Sequence, residues 1–144
     1  MKKIIFTTLL LFAFSTANSQ KQSPSEIQKI SETIMLYIDG TANGEPNKLK
    51  KAFHPKFNLY SVTQEDSLRV WEGKNYINRI KEGQKSNRIG RIVAIDYDQN
   101  VATAKVEIIM PNRRVVTDYF MLLKYQGTWK IIHKSYTVKN LVQP

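Results

Sequence analysis

The sequence contains no cysteine, and this absence excludes several kinds of chemistry at once. Without thiols the chain forms no disulfide framework, no thiolate metal site and no cysteine nucleophile. Histidine is nearly as scarce, with two residues, and no HExxH spacing occurs. Asp96 and Asp98 flank Tyr97 near a predicted turn, and they are better suited to stabilise this turn than to bind a metal. We therefore predict no metal site.

Motifs that bind nucleotides or carry a serine nucleophile are also missing. The chain has neither of the phosphate-binding loops GxxxxGK[ST] and GxGxxG, and it has no GxSxG elbow. We therefore predict no cofactor.

No apolar run reaches the roughly 20 residues that a membrane-spanning helix needs. Residues 4–14 form a shorter, almost unbroken apolar run that follows two lysines, and an Ala-Asn-Ser triplet at 17–19 follows it. This order is typical of a secretory signal peptide. We predict a leader over residues 1–19 and one domain over residues 20–144, exported to the periplasm or secreted, with no membrane span after the leader is removed. No cysteine follows the run, so a lipoprotein anchor is excluded.

Acidic residues are few, with 12 against 22 lysines and arginines, and the formal net charge is +10. Loss of Lys2 and Lys3 with the leader would lower this by two, to +8. The basic residues are scattered, without a run of four or a basic helix face, so we predict no nucleic-acid partner. Attraction to anionic surfaces or acidic small molecules fits better, because net charge steers association whatever the fold.

The chain after residue 20 divides into a helical first half and a strand-rich second half. The first predicted helix starts at Ser23-Pro24-Ser25-Glu26, with Ser23 as the N-cap and Glu26 as the acidic partner of a capping box. It carries an apolar stripe of isoleucines and ends at Asp39-Gly40. Two shorter helices are predicted from Pro46 to His54-Pro55 and over Lys74 to Lys81. The predicted strands cover residues 57–62, 68–71, 89–97, 101–110, 113–125 and 128–139. Helices followed by hairpin-connected strands indicate an α+β fold.

Four segments carry a resemblance to a known family. They are YIDG at 37–40, LKKAFHP at 49–55, TDYFMLLK at 117–124 and GTWKIIHK at 127–134. In this order the chain resembles the NTF2-like (SnoaL-like) superfamily, and most of all the exported bacterial family named "putative lumazine-binding". The resemblance implies a cone in which N-terminal helices pack on a strongly bent, mainly antiparallel sheet around a pocket.

Asp118 is the first candidate site residue. It lies within a strongly β-forming run, where aspartate is disfavoured, and in phase with Val116, Phe120 and Leu122. If that face lines the cone, burial would raise the pKa of the carboxyl and suit it to acid–base chemistry. The alternative is a structural aspartate that is hydrogen-bonded to a neighbouring group.

His133 is the second candidate, on a predicted strand face shared with Trp129 and Ile131. A neutral imidazole there could exchange a proton near pH 7, and the adjacent strand carries Asp118. The alternative is a core histidine without a functional role. His54, at the predicted end of a helix, is expected to bond the last helical carbonyls.

Aromatic side chains would suit the pocket to a flat heterocycle by stacking, although any small core contains such residues. The predicted ligand-binding set is Tyr37, Phe57, Trp71, Asp118, Phe120, Trp129 and His133.

Three functions remain open from the sequence. The preferred one is an exported small-molecule-binding protein with an aromatic-lined pocket. The first alternative is a proton-transfer enzyme of the isomerase or dehydratase type that uses Asp118, His133 or both. The second is a dimeric structural or interaction module without a ligand. A homodimer through the sheet is expected because Tyr119, Met121 and Leu123 alternate away from the predicted inner face.

Overall fold

The computed structural model describes residues 23–111 and 114–141, so the predicted leader lies outside the described residues. The helices in that part of the chain are α1 (Glu26–Asn43), α2 (Pro46–Ala52) and α3 (Gly73–Asn78). The strands are β1 (Phe53–Val62), β2 (Leu68–Glu72), β3 (Ile89–Asp98), β4 (Val101–Ile109), β5 (Arg114–Tyr125) and β6 (Thr128–Asn140). No helix within these residues is both long and apolar enough to cross a membrane.

Helix α1 begins two residues later than the sequence predicts. Ser25 rather than Ser23 is the N-cap, and its hydroxyl accepts a hydrogen bond from the backbone N–H of Gln28. The side chain of Gln28 in turn accepts from the backbone N–H of Ser25, which completes a capping box. Glu26, predicted as the acidic partner of that box, is instead the first residue of the helix.

The predicted end of α1 at Asp39-Gly40 is wrong, and close packing explains why. Gly40 stays helical and buried, and a Cβ atom there would lie 2.6 Å from Cδ1 of Leu49 in α2. The missing side chain lets the two helices approach each other. The helix ends instead at Gly44, whose φ of 67° is left-handed and suits glycine.

The six strands form one curled sheet in the order β2-β1-β6-β5-β4-β3. Neighbours pair antiparallel except β1 and β6, which run parallel and bring the N-terminal and C-terminal strands together. Extra residues interrupt the pairing of β1 with β6, β3 with β4, and β5 with β6. Such bulges bend a strand and increase its twist. The α+β class and the NTF2-like arrangement of helices on a bent sheet are confirmed.

The core lies between α1 and the inner face of the sheet. Ile30, Ile34, Tyr37 and Ile38 form the buried stripe of the helix. Alternate residues of β4, β5 and β6 meet this stripe, as the period of two in a strand requires. The same alternation exposes the intervening residues on the outer face, where no described helix packs.

Trp129 closes the core at the start of α1. Its indole N–H donates to Glu26 Oε2 at 2.8 Å, and Lys29 and Lys124 form ion pairs with Glu26 Oε1 at 2.8 and 3.0 Å. The hydrogen bond from Lys29, the indole N–H and the Lys124 ammonium together lower the pKa of Glu26 to about 2. This carboxylate therefore stays charged at neutral pH and ties the first turn of α1 to β5 and β6.

Candidate functional site

A cavity of about 160 Å³ lies at the open end of the core and reaches solvent on one side. Two of its lining residues are basic and none is acidic. The aromatic lining residues are Tyr37, Trp71, Tyr76 and Tyr136. The basic ones are Lys134 and Arg88, and the aliphatic ones are Leu59, Ile108, Met110 and Val116. The walls are thus aromatic and aliphatic, with two cations among them.

Strand alternation explains how β6 supplies two of these side chains. Lys134 and Tyr136 are two residues apart, so both point to the inner face of the sheet. Val116 of β5 pairs with Val138, and Ile108 of β4 pairs with Val116, which continues the wall across neighbouring strands. Tyr37 reaches the same space from the last turns of α1.

Beneath the cavity, Asp118, Lys134 and Tyr37 form a buried polar network. The Lys134 ammonium lies 2.7 Å from Asp118 Oδ1 and donates a hydrogen bond to the Tyr37 hydroxyl, also at 2.7 Å. That hydroxyl donates to Asp118 Oδ2 at 2.6 Å. Asp118 is 0% exposed and Lys134 is 4% exposed. Two opposite charges withdrawn from water thus meet each other, as buried charges must.

The Tyr37 hydroxyl and the Lys134 ammonium group of the network both stay protonated at neutral pH. Burial raises the pKa of the Tyr37 hydroxyl well above its usual value, and the Asp118 carboxylate raises it further. Burial alone would lower the pKa of Lys134, but Tyr76 and Asp118 outweigh it and leave that pKa above its usual value. Tyr37 is therefore a neutral donor and Lys134 is a cation.

Three tyrosine rings lie close to the Lys134 ammonium. Its nitrogen lies 4.8 Å from the ring centre of Tyr37, 5.4 Å from Tyr76 and 5.3 Å from Tyr136. Ring faces attract a cation, and the attraction grows where water is excluded. All three rings also line the cavity, so the cation and the flat walls belong to one site.

The predicted ligand-binding residues do not all lie at this cavity. Tyr37 and Trp71 line it, and Asp118 lies behind Lys134 and Tyr37 rather than at the surface of the cavity. Phe57 stacks on Phe53 in the core, with ring centres 3.9 Å apart. Any ligand contact by these residues stays a prediction.

Phe120 and Trp129 are also core residues. Phe120 packs edge-on against Tyr37 with ring centres 5.0 Å apart, and Trp129 lies at the opposite end of α1. Neither lines the cavity. Their predicted contact with a ligand is likewise untested.

The prediction that His133 shares a strand face with Trp129 and Ile131 is wrong, because β6 contains a bulge. Ile131 pairs with Leu122 and His133 pairs with Met121, so Ile132 is an extra residue without a partner. A one-residue insertion moves every later side chain to the other face. His133 therefore lies outside the cone.

On the outer face the His133 ring stacks on Tyr60 at 4.7 Å between centres, and its Nε2 lies 2.7 Å from Ser135 Oγ. Asp118 and His133 are on adjacent strands but on opposite faces of the sheet, so they do not share a cavity. The catalytic roles of both residues remain predictions.

His54 does not bond the helical carbonyls as expected. Its Nδ1 accepts a hydrogen bond from the backbone N–H of Lys56, and its ring meets Tyr125 edge-on at 5.2 Å. The cause is that β1 begins at Phe53, directly after α2, so His54 is the second residue of a strand and not the last residue of a helix.

Sequence reasoning missed Lys134, Arg88 and Tyr136, and the predicted ligand-binding set leaves out Tyr76. Lys134 could have been recognised as the counter-ion of Asp118. It is a lysine inside an apolar strand, two residues from Tyr136, which pairs with Asp118. Long side chains reach such diagonal neighbours across a strand pair. Arg88 carried no such signal, since it lies in the segment without regular structure before β3.

Comparisons with known proteins agree with this architecture. A family model described as "Putative lumazine-binding" matches residues 25–137. No curated protein matches the chain significantly.

Solved structures of similar fold include three NTF2-like proteins of unknown function. The protein from Shewanella baltica OS155 has a TM-score of 0.71 and 20% identity, covering 83% of this chain and 100% of its own. The one from Methylobacillus flagellatus KT has a TM-score of 0.70 and 26% identity, covering 83% and 96%. The one from Silicibacter pomeroyi DSS-3 has a TM-score of 0.69 and 16% identity, covering 78% and 95%.

The buried network makes a prediction about stability. Lys134→Met leaves the Asp118 carboxylate buried without its counter-ion, so we expect a loss of about 3–5 kcal/mol in the free energy of unfolding. Adding Asp118→Asn removes the stranded charge, so the double variant should recover a large part of that loss. Urea denaturation of the two single variants and the double variant measures the coupling.

Lys139→Met is the matched control, because Lys139 is an exposed residue near the end of the same strand. It should change stability by less than about 0.5 kcal/mol. Strictly additive effects of Lys134→Met and Asp118→Asn would contradict the network.

Proposed function

The chain belongs to the putative lumazine-binding family, and we propose that it is a small-molecule-binding domain whose ligand enters the cavity above Lys134. The NTF2-like fold and the family description both support a ligand-binding domain. Lumazine, a flat two-ring heterocycle, is the ligand class that the family description suggests.

The observation that carries the proposal is the composition of the cavity wall. Four aromatic rings and four aliphatic side chains enclose the space, and two basic side chains provide its polar contacts. Small-molecule sites have this character, with mostly apolar walls and a few well-placed polar groups. The tyrosines and the tryptophan offer faces against which a planar ring can pack.

Blocking the cavity tests the proposal. Val116→Phe puts a ring into the space from the wall formed by β5, and we expect it to weaken the binding of any ligand by at least tenfold. Calorimetric titration with lumazine and with small aromatic acids would measure this. Val93→Phe is the matched control, because Val93 is an exposed residue outside the cavity. If ring compounds bind the Val116→Phe protein as tightly as the unchanged protein, they do not bind in this cavity.

We further propose that the protein is exported and that residues 1–19 are removed. The support is the sequence of the leader, with its two lysines, apolar run and small residues at 17–19. Mass spectrometry of the protein from the cell envelope or the medium should find an N-terminus near Gln20. An intact Met1 on the folded exported protein would contradict the proposal.

We also propose that the protein forms a homodimer through the outer face of the sheet. Tyr119, Met121 and Leu123 project from β5 on that face and are 49%, 46% and 38% exposed. A row of large apolar side chains on an open sheet is typical of an interface between proteins.

Charge placed in this row tests the dimer. Sedimentation at micromolar concentration should give the mass of a dimer for the unchanged protein and of a monomer for Met121→Lys. Leu68→Lys makes the same kind of change on the edge strand β2 and should leave the dimer intact. A monomer for the unchanged protein would count against the interface.

A further inference from the structure

The charges around the cavity do not cancel, and this imbalance bears on the ligand. Asp118 neutralises Lys134 at a distance of 2.7 Å, and no acidic side chain among the residues that the structure describes lines the cavity. Arg88 then remains as one positive charge in excess. Among residues 23–111 and 114–141, no carboxylate forms an ion pair with its guanidinium.

Arg88 is held in place at one nitrogen and free at the others. Its Nε donates to Ser86 Oγ at 2.7 Å, and the Ser86 hydroxyl donates to the Thr41 carbonyl of α1 at 3.1 Å. Within the described part of the chain, its two terminal nitrogens donate no side-chain hydrogen bond. The planar fork of a guanidinium matches a carboxylate in two parallel hydrogen bonds.

Lys134 offers a second donor to the same space. An ammonium group has three N–H donors; one of them donates to the Tyr37 hydroxyl, and the nitrogen lies 2.7 Å from Asp118 Oδ1. Among the described residues no other hydrogen bond from this ammonium group is found, and Lys134 lines the cavity. A negatively charged group in the cavity would accept hydrogen bonds from both Arg88 and Lys134.

The volume of the cavity limits the size of the ligand that it can hold. The cavity measures about 160 Å³, close to the ~150 Å³ of an engineered apolar cavity that binds benzene. One aromatic ring fits this space, whereas a two-ring heterocycle would extend into solvent.

We propose that the ligand is a single-ring aromatic monoanion, an aromatic carboxylate, with its ring between the tyrosine and tryptophan walls and its carboxylate between Arg88 and Lys134. The proposal rests on the proposed function, since it names the ligand class of the same cavity. The positive net charge of the chain adds a long-range attraction for such an anion.

The test compares two ring compounds that differ in charge. Benzoate and benzamide have nearly the same shape, but only benzoate carries a negative charge at pH 7. Calorimetric titration of the folded protein with each compound should give at least tenfold tighter binding for benzoate than for benzamide. Arg88→Gln should weaken benzoate binding about tenfold and change benzamide binding less than twofold.

Lys85→Gln is the matched control, because it removes one positive charge from an exposed position three residues away. It should leave benzoate binding within twofold of the unchanged protein, which separates a direct contact from long-range attraction. Melting temperatures of both variants, measured without ligand, verify that each is folded.

Three results would overturn the proposal. Equal affinity for benzoate and benzamide, with both blocked by Val116→Phe, would exclude the anionic ligand and leave the proposed binding function intact. Equal losses in Arg88→Gln and Lys85→Gln would exclude the contact with Arg88. Failure of benzoate, benzamide and lumazine to bind at millimolar concentration would contradict the binding function itself.

Discussion

A carboxylate and an ammonium group that leave water together must face each other, and here they do so where α1, β5 and β6 meet. Asp118 comes from β5, Lys134 from β6 and the Tyr37 hydroxyl from α1. The three contacts are 2.6–2.7 Å long, and both charged groups are almost fully buried. Separating Asp118 from Lys134 would leave a buried charge without its counter-charge, which costs free energy. The network therefore restricts the position of α1 on the sheet.

The position of the cavity follows from that restriction. The network occupies the floor of the space between α1 and the sheet, so the space above it remains open to solvent. The apolar stripe of α1 fills the opposite end, where Trp129 and Glu26 close the core. Burying the polar groups of Tyr37 and Lys134 in a closed core would cost free energy. Here they line the cavity and form its polar end.

Sequence patterns predicted most of the fold because they report local physics. The isoleucine stripe of α1 and the alternation of β4 and β5 follow from the periods of 3.6 and 2, and the structure has both. Features that depend on distant contacts could not be read in this way. The helical state of Gly40 depends on Leu49 in another helix, and the place of Arg88 depends on a hydrogen bond through Ser86 to α1.

The bulge at Ile132 has the largest effect on what the site can do. With uninterrupted alternation, His133 would share the inner face with Trp129 and Ile131, near Asp118, and a histidine beside a carboxylate is suited to moving protons near pH 7. The extra residue puts His133 on the outer face and Lys134 beside Asp118 instead.

The pKa of Lys134 is raised above its usual value and that of Tyr37 well above its usual value, so both groups keep their protons at neutral pH. The Lys134 ammonium is paired with the Asp118 carboxylate, so the network presents fixed hydrogen-bond donors to the aromatic walls without adding net charge to the cavity. Fixed donors beside flat, mostly apolar walls suit the recognition of a ligand, which is the function that we propose for this cavity.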